Sequence, residues 1–180
     1  MKLVTQPRRR HTIRLDGYDY AQEGAYFITV CTQRMMCLFG EIVEGEMRIN
    51  RRGEIVMECW QAIPNHFPQV ELDAFVVMPN HIHGILVINV GATHGSPLRG
   101  PSQLHKSSGP NRGSIGAILA QFKAAVSRRI AIELGESNLW QRNYYDRIIR
   151  DEVEWGNIRA YIETNPLRWA EDENNPAAIK

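Results

Sequence analysis

The stretch VELDAFVVMPNHIHGILVINV, residues 70–90, constrains the chain more than any other. Two runs rich in β-formers, VELDAFVVMP (70–79) and HIHGILVINV (81–90), leave room for only a very short turn between them. They read as antiparallel neighbours in a sheet. Side chains alternate faces along a strand, so His81 and His83 project from one side and Ile82 from the other. Imidazoles at i and i+2 can meet one metal ion, and Val77, Ile82, Ile85 and Val87 would hold the strand inside the sheet as a rigid platform. The same triplet reads equally well as two half-exposed sheet histidines. A metal site also needs a third donor from elsewhere in the chain.

The remaining elements follow from periodicity and punctuation. AYFITVCTQ (25–33) reads as a strand, and CLFGEIVEGEMRIN (37–50) as a hairpin turning near Glu44-Gly45. RRGEIVMECWQAIPNHF (51–67) spaces Ile55, Val56, Cys59, Trp60 and Ile63 along one helical face, with Pro64 and Pro68 at its end. SIGAILAQFKAAVSRRIAIEL (114–134) is a long amphipathic helix, capped by Ser114 and stopped by Gly135. WQRNYYDRIIR (140–150) reads as an aromatic, basic connector. DEVEWGNIRAYIETN (151–165) is a last helix ended by Pro166.

These elements suggest an α+β architecture: a four- or five-stranded, ferredoxin-like antiparallel sheet with helices packed on one face. One domain spans residues 18–170. It is preceded by a basic arm (1–17), interrupted by a Gly/Ser/Pro-rich loop (91–112) and followed by a polar tail (171–180). A chain of 180 residues can bury a core without staples.

Net charge is +1, so overall charge announces no nucleic-acid partner. Its distribution says more. Lys2, Arg8, Arg9, Arg10 and Arg14 all precede the first acid, Asp16. A second basic set runs Lys123, Arg128, Arg129, Arg142, Arg147 and Arg150. Such patches bind phosphates even at neutral net charge, and equally serve as solvated faces. The three cysteines, Cys31, Cys37 and Cys59, form no C-x-x-C pair, which argues against a disulfide framework or a cysteine zinc site. No apolar run is long enough to span a bilayer, and the N-terminus lacks the apolar core of a signal peptide. The expected compartment is the cytoplasm.

Tyr161 and Asn165 lie four apart, on one face of the last helix. Taken by themselves, they read as a core aromatic beside Ile158 and Ile162 and a helix-end residue before Pro166. Together with the other motifs they carry more. YFITVCTQR, MPNHIHGILVI, SIGAILAQFK, WQRNYYDRIIR and YIETNPLR occur in an order and spacing that resemble the HUH single-tyrosine transposases, most closely the REP-associated tyrosine transposase-like branch. The resemblance runs from about residue 11 to 168.

That resemblance implies the HUH nuclease fold and a metal-dependent endonuclease and strand transferase. The implied substrate is single-stranded DNA with hairpins or palindromic repeats. His81 and His83 would hold a divalent cation, magnesium or manganese in this family, with Asn165 as a further ligand and Tyr161 as the nucleophile. Two imidazoles by themselves favour zinc or manganese over magnesium. By charge, Lys123, Arg142 and Arg150 are candidates for phosphate contacts, and Arg8, Arg9 and Arg10 for DNA binding outside the centre. The implied assembly is a monomer or a homodimer, with no membrane.

Tyr144 and Tyr145, between arginines, are rival nucleophiles that also read as packing or stacking groups. Arg147 stands where many relatives carry histidine, a departure from the pattern. Asp73 and Glu163 are expected to face solvent, Asp146 is a possible extra acid, and His94 and His105 are expected to be bystanders in the loop. Trp60, Trp155 and Trp169 are expected to be core. Two other function classes stay open: a non-catalytic binder of single-stranded or hairpin nucleic acid, and a metal-dependent hydrolase with a water nucleophile. The hydrolase ranks last because no carboxylate adjoins the H-x-H to act as base.

Overall fold

A computed structural model describes residues 22–89 and 113–178. The basic arm, the 91–112 loop, His94 and His105 lie outside these residues. The chain runs β1 (Gly24–Cys31), β2 (Gly40–Val43), β3 (Glu46–Ile49), α1 (Arg51–Gln61), α2 (Ile63–His66), β4 (Val70–Val77), β5 (His81–Ile88), α3 (Ile115–Leu134), β6 (Tyr145–Ile149) and α4 (Glu152–Thr164). Two 3-10 helices, Gln33–Met35 and Pro166–Glu171, follow β1 and α4.

The expected α+β antiparallel sheet is present, with four strands in the order β4-β5-β1-β6. β2 and β3 form a separate hairpin. Its turn places Glu44 and Gly45 at positive φ, 54° and 79°, as two-residue hairpin turns require. Residues 140–150 are not wholly a connector: Tyr145–Ile149 is edge strand β6, paired with β1 from Ala25↔Ile149 to Thr29↔Tyr145. The basic residues at 142, 147 and 150 masked that short strand.

Helices occupy both faces of the sheet rather than one. Tyr26, Ile28, Val30, Ile82, Leu86 and Ile88 point to the face covered by α1 and α3, where they meet Ile55, Trp60, Ile118, Phe122 and Val126. Ala25, Ile85 and Ile149 point to the opposite face, where Ile162, Trp155 and Ile158 of α4 cover them. The physical reason is that β1 and β5 are apolar on both sides, so each side must be covered.

Local chemistry ends these helices where the sequence indicates. The Asn50 side chain accepts from the N–H groups of Arg52 and Gly53 at the start of α1. Ser114 does the same for Ala117 in α3, and Gly135 ends that helix at φ 71°. Asp151 accepts from the Glu154 N–H at 2.8 Å to open α4. That helix is then clamped to the sheet by Asp73, which occupies the bulge between Leu72 and Phe75 in β4. Its carboxylate accepts from the Trp155 indole and from Nε and Nη2 of Arg159. Asp73 therefore does not face solvent without a partner: a bulge re-aims its side chain toward α4.

One contact on the α1 side tolerates no extra atom. A Cβ on Gly84 would lie 2.8 Å from Cη2 of Trp60, and closer still to Cζ2. The indole cannot retreat, because it stacks on Phe75 with centroids 4.6 Å apart. Gly84→Ala is expected to cost about 1–3 kcal/mol by overpacking, read as a lower urea midpoint with an unchanged slope. An unchanged midpoint would show that the indole has room to shift.

Candidate active site

His81 and His83 lie on the α4 side of β5, both buried. Their Nε2 atoms converge to 3.0 Å. Two neighbours set the rings. Nδ1 of His81 is 2.8 Å from Oδ1 of Asn80. The Asn80 amide nitrogen donates to the carbonyls of Met35 (3.1 Å) and Asn174 (2.7 Å), which leaves Oδ1 as the acceptor. His81 therefore carries its proton on Nδ1 and offers a lone pair at Nε2.

Nδ1 of His83 is 2.8 Å from Oγ1 of Thr29, its cross-strand partner. A hydroxyl both donates and accepts. With no cation between the rings, His83 can donate from Nε2 to His81 while Thr29 donates to Nδ1. To serve as a metal ligand through Nε2, His83 would carry its proton on Nδ1, where Thr29 would accept it. Burial pushes the pKa of both imidazoles below the ordinary 6.5, well below it for His83. The Asp172 charge partly opposes the shift at His81, while the neighbouring His81 adds to it at His83. Both rings are neutral at pH 7, the form a metal ligand needs.

Two oxygen donors arrive from the chain after α4. Asn165 is buried, and its Nδ2 donates to Oδ2 of Asp172 at 3.1 Å. Its Oδ1 is buried with no hydrogen-bond partner among the described residues. Asp172 presents a carboxylate oxygen within 4.8 Å of ligand nitrogens of both histidines. Two imidazole nitrogens, an orphaned amide oxygen and a carboxylate fit a divalent cation. The expected polar tail thus contains a site residue. Through Ala178 the chain folds back, with Asp172 and Asn174 buried and the Asn174 N–H donating to Oδ1 of Asp172 at 2.6 Å.

Tyr161 completes the cluster. Its hydroxyl is 3.3 Å from Nε2 of His83, and its side of α4 stays open, with 38% of the residue exposed. Phe27 stacks on His83 (5.2 Å between centroids) and meets Tyr161 edge-on (6.0 Å), fixing both rings. Burial raises the phenol's pKa and the Asp172 charge raises it further, while a hydrogen bond from Asn165 acts the other way.

The structure thus brings together His81, His83, Tyr161 and Asn165. The remaining sequence candidates lie elsewhere. Tyr144 packs against the main core, and Tyr145 lies in β6. The Lys123 ammonium points at the carbonyls of Gln141, Arg142 and Asn143 (2.6, 3.5 and 3.4 Å), so it braces the connector rather than standing ready for a phosphate. Arg142 and Arg150 are exposed, on the connector and just after β6. Arg8, Arg9 and Arg10 lie outside the described residues. Sequence reasoning missed Thr29, Asn80 and Asp172. Strand pairing could have pointed to Thr29 and the Pro-Asn turn to Asn80, but nothing in the sequence pointed to Asp172.

The architecture has a solved counterpart. The chain has the fold of the REP-associated tyrosine transposase solved bound to a REP hairpin, with a TM-score of 0.56 over 91% of this chain and 74% of that one, at 18% identity. In sequence it is 43% identical over 167 residues to an uncharacterized protein of Haemophilus influenzae, covering 91% of this chain and 92% of that protein. The chain belongs to one family with that Haemophilus protein. No protein-family model matches the sequence. No helix among the described residues is long and apolar enough to cross a membrane.

Thr29→Val keeps the shape and β-propensity of the residue but removes the hydroxyl that serves Nδ1 of His83. Manganese affinity is expected to fall about 10- to 100-fold by calorimetric titration. Equal affinity would show that Thr29 does not orient the ring. A second expectation concerns pH. Both histidines have folded-state values below 6.5, so the unfolded chain binds more protons as pH falls. Metal-free stability is therefore intact above pH 6.5 and declines as pH drops below it. The urea midpoint should already fall between pH 7 and pH 5, above the range of the carboxylates. A flat midpoint over that interval would contradict burial of neutral imidazoles.

Proposed function

We propose that the protein is a transposase-like, metal-dependent endonuclease and strand transferase acting on single-stranded hairpin or repeat DNA, with Tyr161 as the nucleophile. The observation that carries this reading is the Tyr161 phenol, 3.3 Å from Nε2 of His83 at the open edge of a buried two-histidine, amide and carboxylate cluster. The relative of the same fold holds a REP hairpin, which suggests the DNA class.

His81, His83 and Asn165, with Asp172 beside them, would hold the divalent cation, which polarises the scissile phosphate and screens charge in the transition state. Tyr161 attacks phosphorus. The phenol gives up its proton as its oxygen–phosphorus bond forms, the bond from phosphorus to the 3′-oxygen breaks, and the leaving oxygen takes up one proton to become a 3′-hydroxyl, so no net proton is gained or lost. The product is a 5′-phosphotyrosine that keeps the bond energy. A 3′-hydroxyl attacking that link rejoins DNA and restores the phenol.

Burial and the Asp172 charge both favour the protonated phenol, so a divalent cation held by the neighbouring residues would favour its ionised form. Phe27 keeps the tyrosine ring beside His83 while this happens. Arg142 and Arg150, exposed on the connector and after β6, and the basic segment Arg8–Arg10 supply backbone contacts in this reading. The protein would act in the cytoplasm, as a monomer or a homodimer.

Incubation with a single-stranded hairpin from repeats near its own gene, with manganese, is expected to yield a covalent protein–DNA adduct on a denaturing gel. The adduct should vanish on chelation and in Tyr161→Phe, and persist in Tyr144→Phe. An adduct lost in Tyr144→Phe instead would move the nucleophile. Metal-independent binding with no adduct would place the protein among hairpin-binding modules.

A further inference from the structure

Three of the four tryptophans have structural roles. Trp60 stacks on Phe75 in the core under α1 and α3. Trp140 packs against the same core and donates its indole N–H to the Lys123 carbonyl at 3.2 Å. Trp155 packs in the cluster on the other face and donates to Asp73. Trp169 joins neither apolar cluster, and among the described residues its indole N–H has no partner.

Its position is nonetheless fixed. Trp169 sits in the 3-10 helix Pro166–Glu171, between Asn165 and Asp172 of the active site. Its carbonyl accepts from the Asn175 side chain (2.8 Å) and the Asp172 N–H (3.2 Å). Its ring lies 6.1 Å from that of His81 with planes tilted by 36°. The side chain is half-buried, and on the same short helix Leu167 is 70% exposed and Arg168 is exposed. Leaving indole surface in water costs apolar burial that the two cores were available to supply. A large aromatic held at a reaction centre, unused by either core and flanked by an apolar group and a cation, has the properties of a stacking surface for an unpaired base.

We propose that Trp169 is the platform on which an unpaired nucleobase next to the scissile phosphate stacks, orienting the strand for Tyr161. This rests on the DNA-cleaving reading above. Every base has a π-face, so the contact positions the strand without selecting its sequence.

The test measures binding by fluorescence anisotropy, without metal, for wild type, Trp169→Phe and Trp169→Ala. The probes are an intact single-stranded hairpin and versions with one abasic site moved stepwise along its unpaired flank. Trp169→Ala should weaken binding of intact DNA about 5- to 100-fold, and Trp169→Phe should retain most of the affinity. At one abasic position the difference between wild type and Trp169→Ala should disappear. Manganese affinity of the free proteins, measured separately, should match across all three. A constant wild-type-to-Ala ratio at every abasic position, or a drop in manganese affinity in Trp169→Ala with no base dependence, would make Trp169 a support for His81 and overturn the proposal. The two readings fail separately. Wild type that neither binds the hairpin nor forms the adduct overturns both, whereas normal wild-type behaviour with an unaffected Trp169→Ala overturns only this one.

Discussion

The eight-residue antiparallel pairing of β1 with β5 sets the position of everything else. Its register, from Gly24↔Ile88 to Cys31↔His81, runs through the centre of the sheet. Because the side-chain period is two, that register decides which residues feed each core. It sends Tyr26, Ile28, Val30, Ile82 and Leu86 to α1 and α3, and leaves Phe27, Thr29, His81 and His83 on the other side. A slip by one residue would bury the imidazoles against Trp60 and turn isoleucines toward Tyr161. The stability of the main core therefore enforces the geometry of the site. The hydroxyl of Thr29 meets His83 because hydrophobic burial on the far face holds the two strands in register.

The helix carrying Tyr161 is held differently. Ile162 is the buried residue of α4, so apolar burial alone attaches it weakly. Polar interactions at the β4 bulge do the rest: one carboxylate, Asp73, takes the Trp155 indole and two guanidinium nitrogens of Arg159. Burial opposes the charge of Asp73, yet its pKa falls below the ordinary carboxylate value because these hydrogen bonds outweigh that effect. The clamp ends two residues before Tyr161. The sheet side of the site is thus set by a rigid core, and the Tyr161 side by a directional, hydrogen-bonded anchor that fixes how far along the sheet α4 sits.

Sequence periodicity revealed most of this architecture because most of it is local. The Pro-Asn turn, the alternation in 81–88, the Ser114 cap and the Gly135 stop each act within a few residues, and the structure has them all. The Tyr161–Asn165 spacing likewise put both residues on one helical face. What escaped depends on distance. Nothing in the 140–150 segment shows that Tyr145–Ile149 pairs with a strand more than a hundred residues earlier, because its alternation is short and broken by charge. Asp73 looked solvent-facing because a bulge reverses strand parity, and a bulge leaves no mark in composition. Asp172 lies in a polar stretch with no period, where only the return of the chain to the Asn80 turn gives it a role.

That return also explains Asn165. An amide next to two imidazoles can present either its oxygen or its nitrogen, and only the oxygen is a metal donor. Asp172 decides between them. Its carboxylate can only accept, so it takes the Asn165 Nδ2–H and leaves Oδ1 buried without a partner. Asp172 is in turn held by the Asn174 N–H, and the Asn174 carbonyl by the same Asn80 amide that sets His81. A continuous chain of hydrogen bonds therefore runs from His81 through Asn80, Asn174 and Asp172 to Asn165. It fixes the orientation of a nitrogen donor at one end and an oxygen donor at the other. Neither end is independent: a change that frees the 172–174 segment releases the His81 tether and the Asn165 amide together, although that segment lies beyond every motif that marks the site in the sequence.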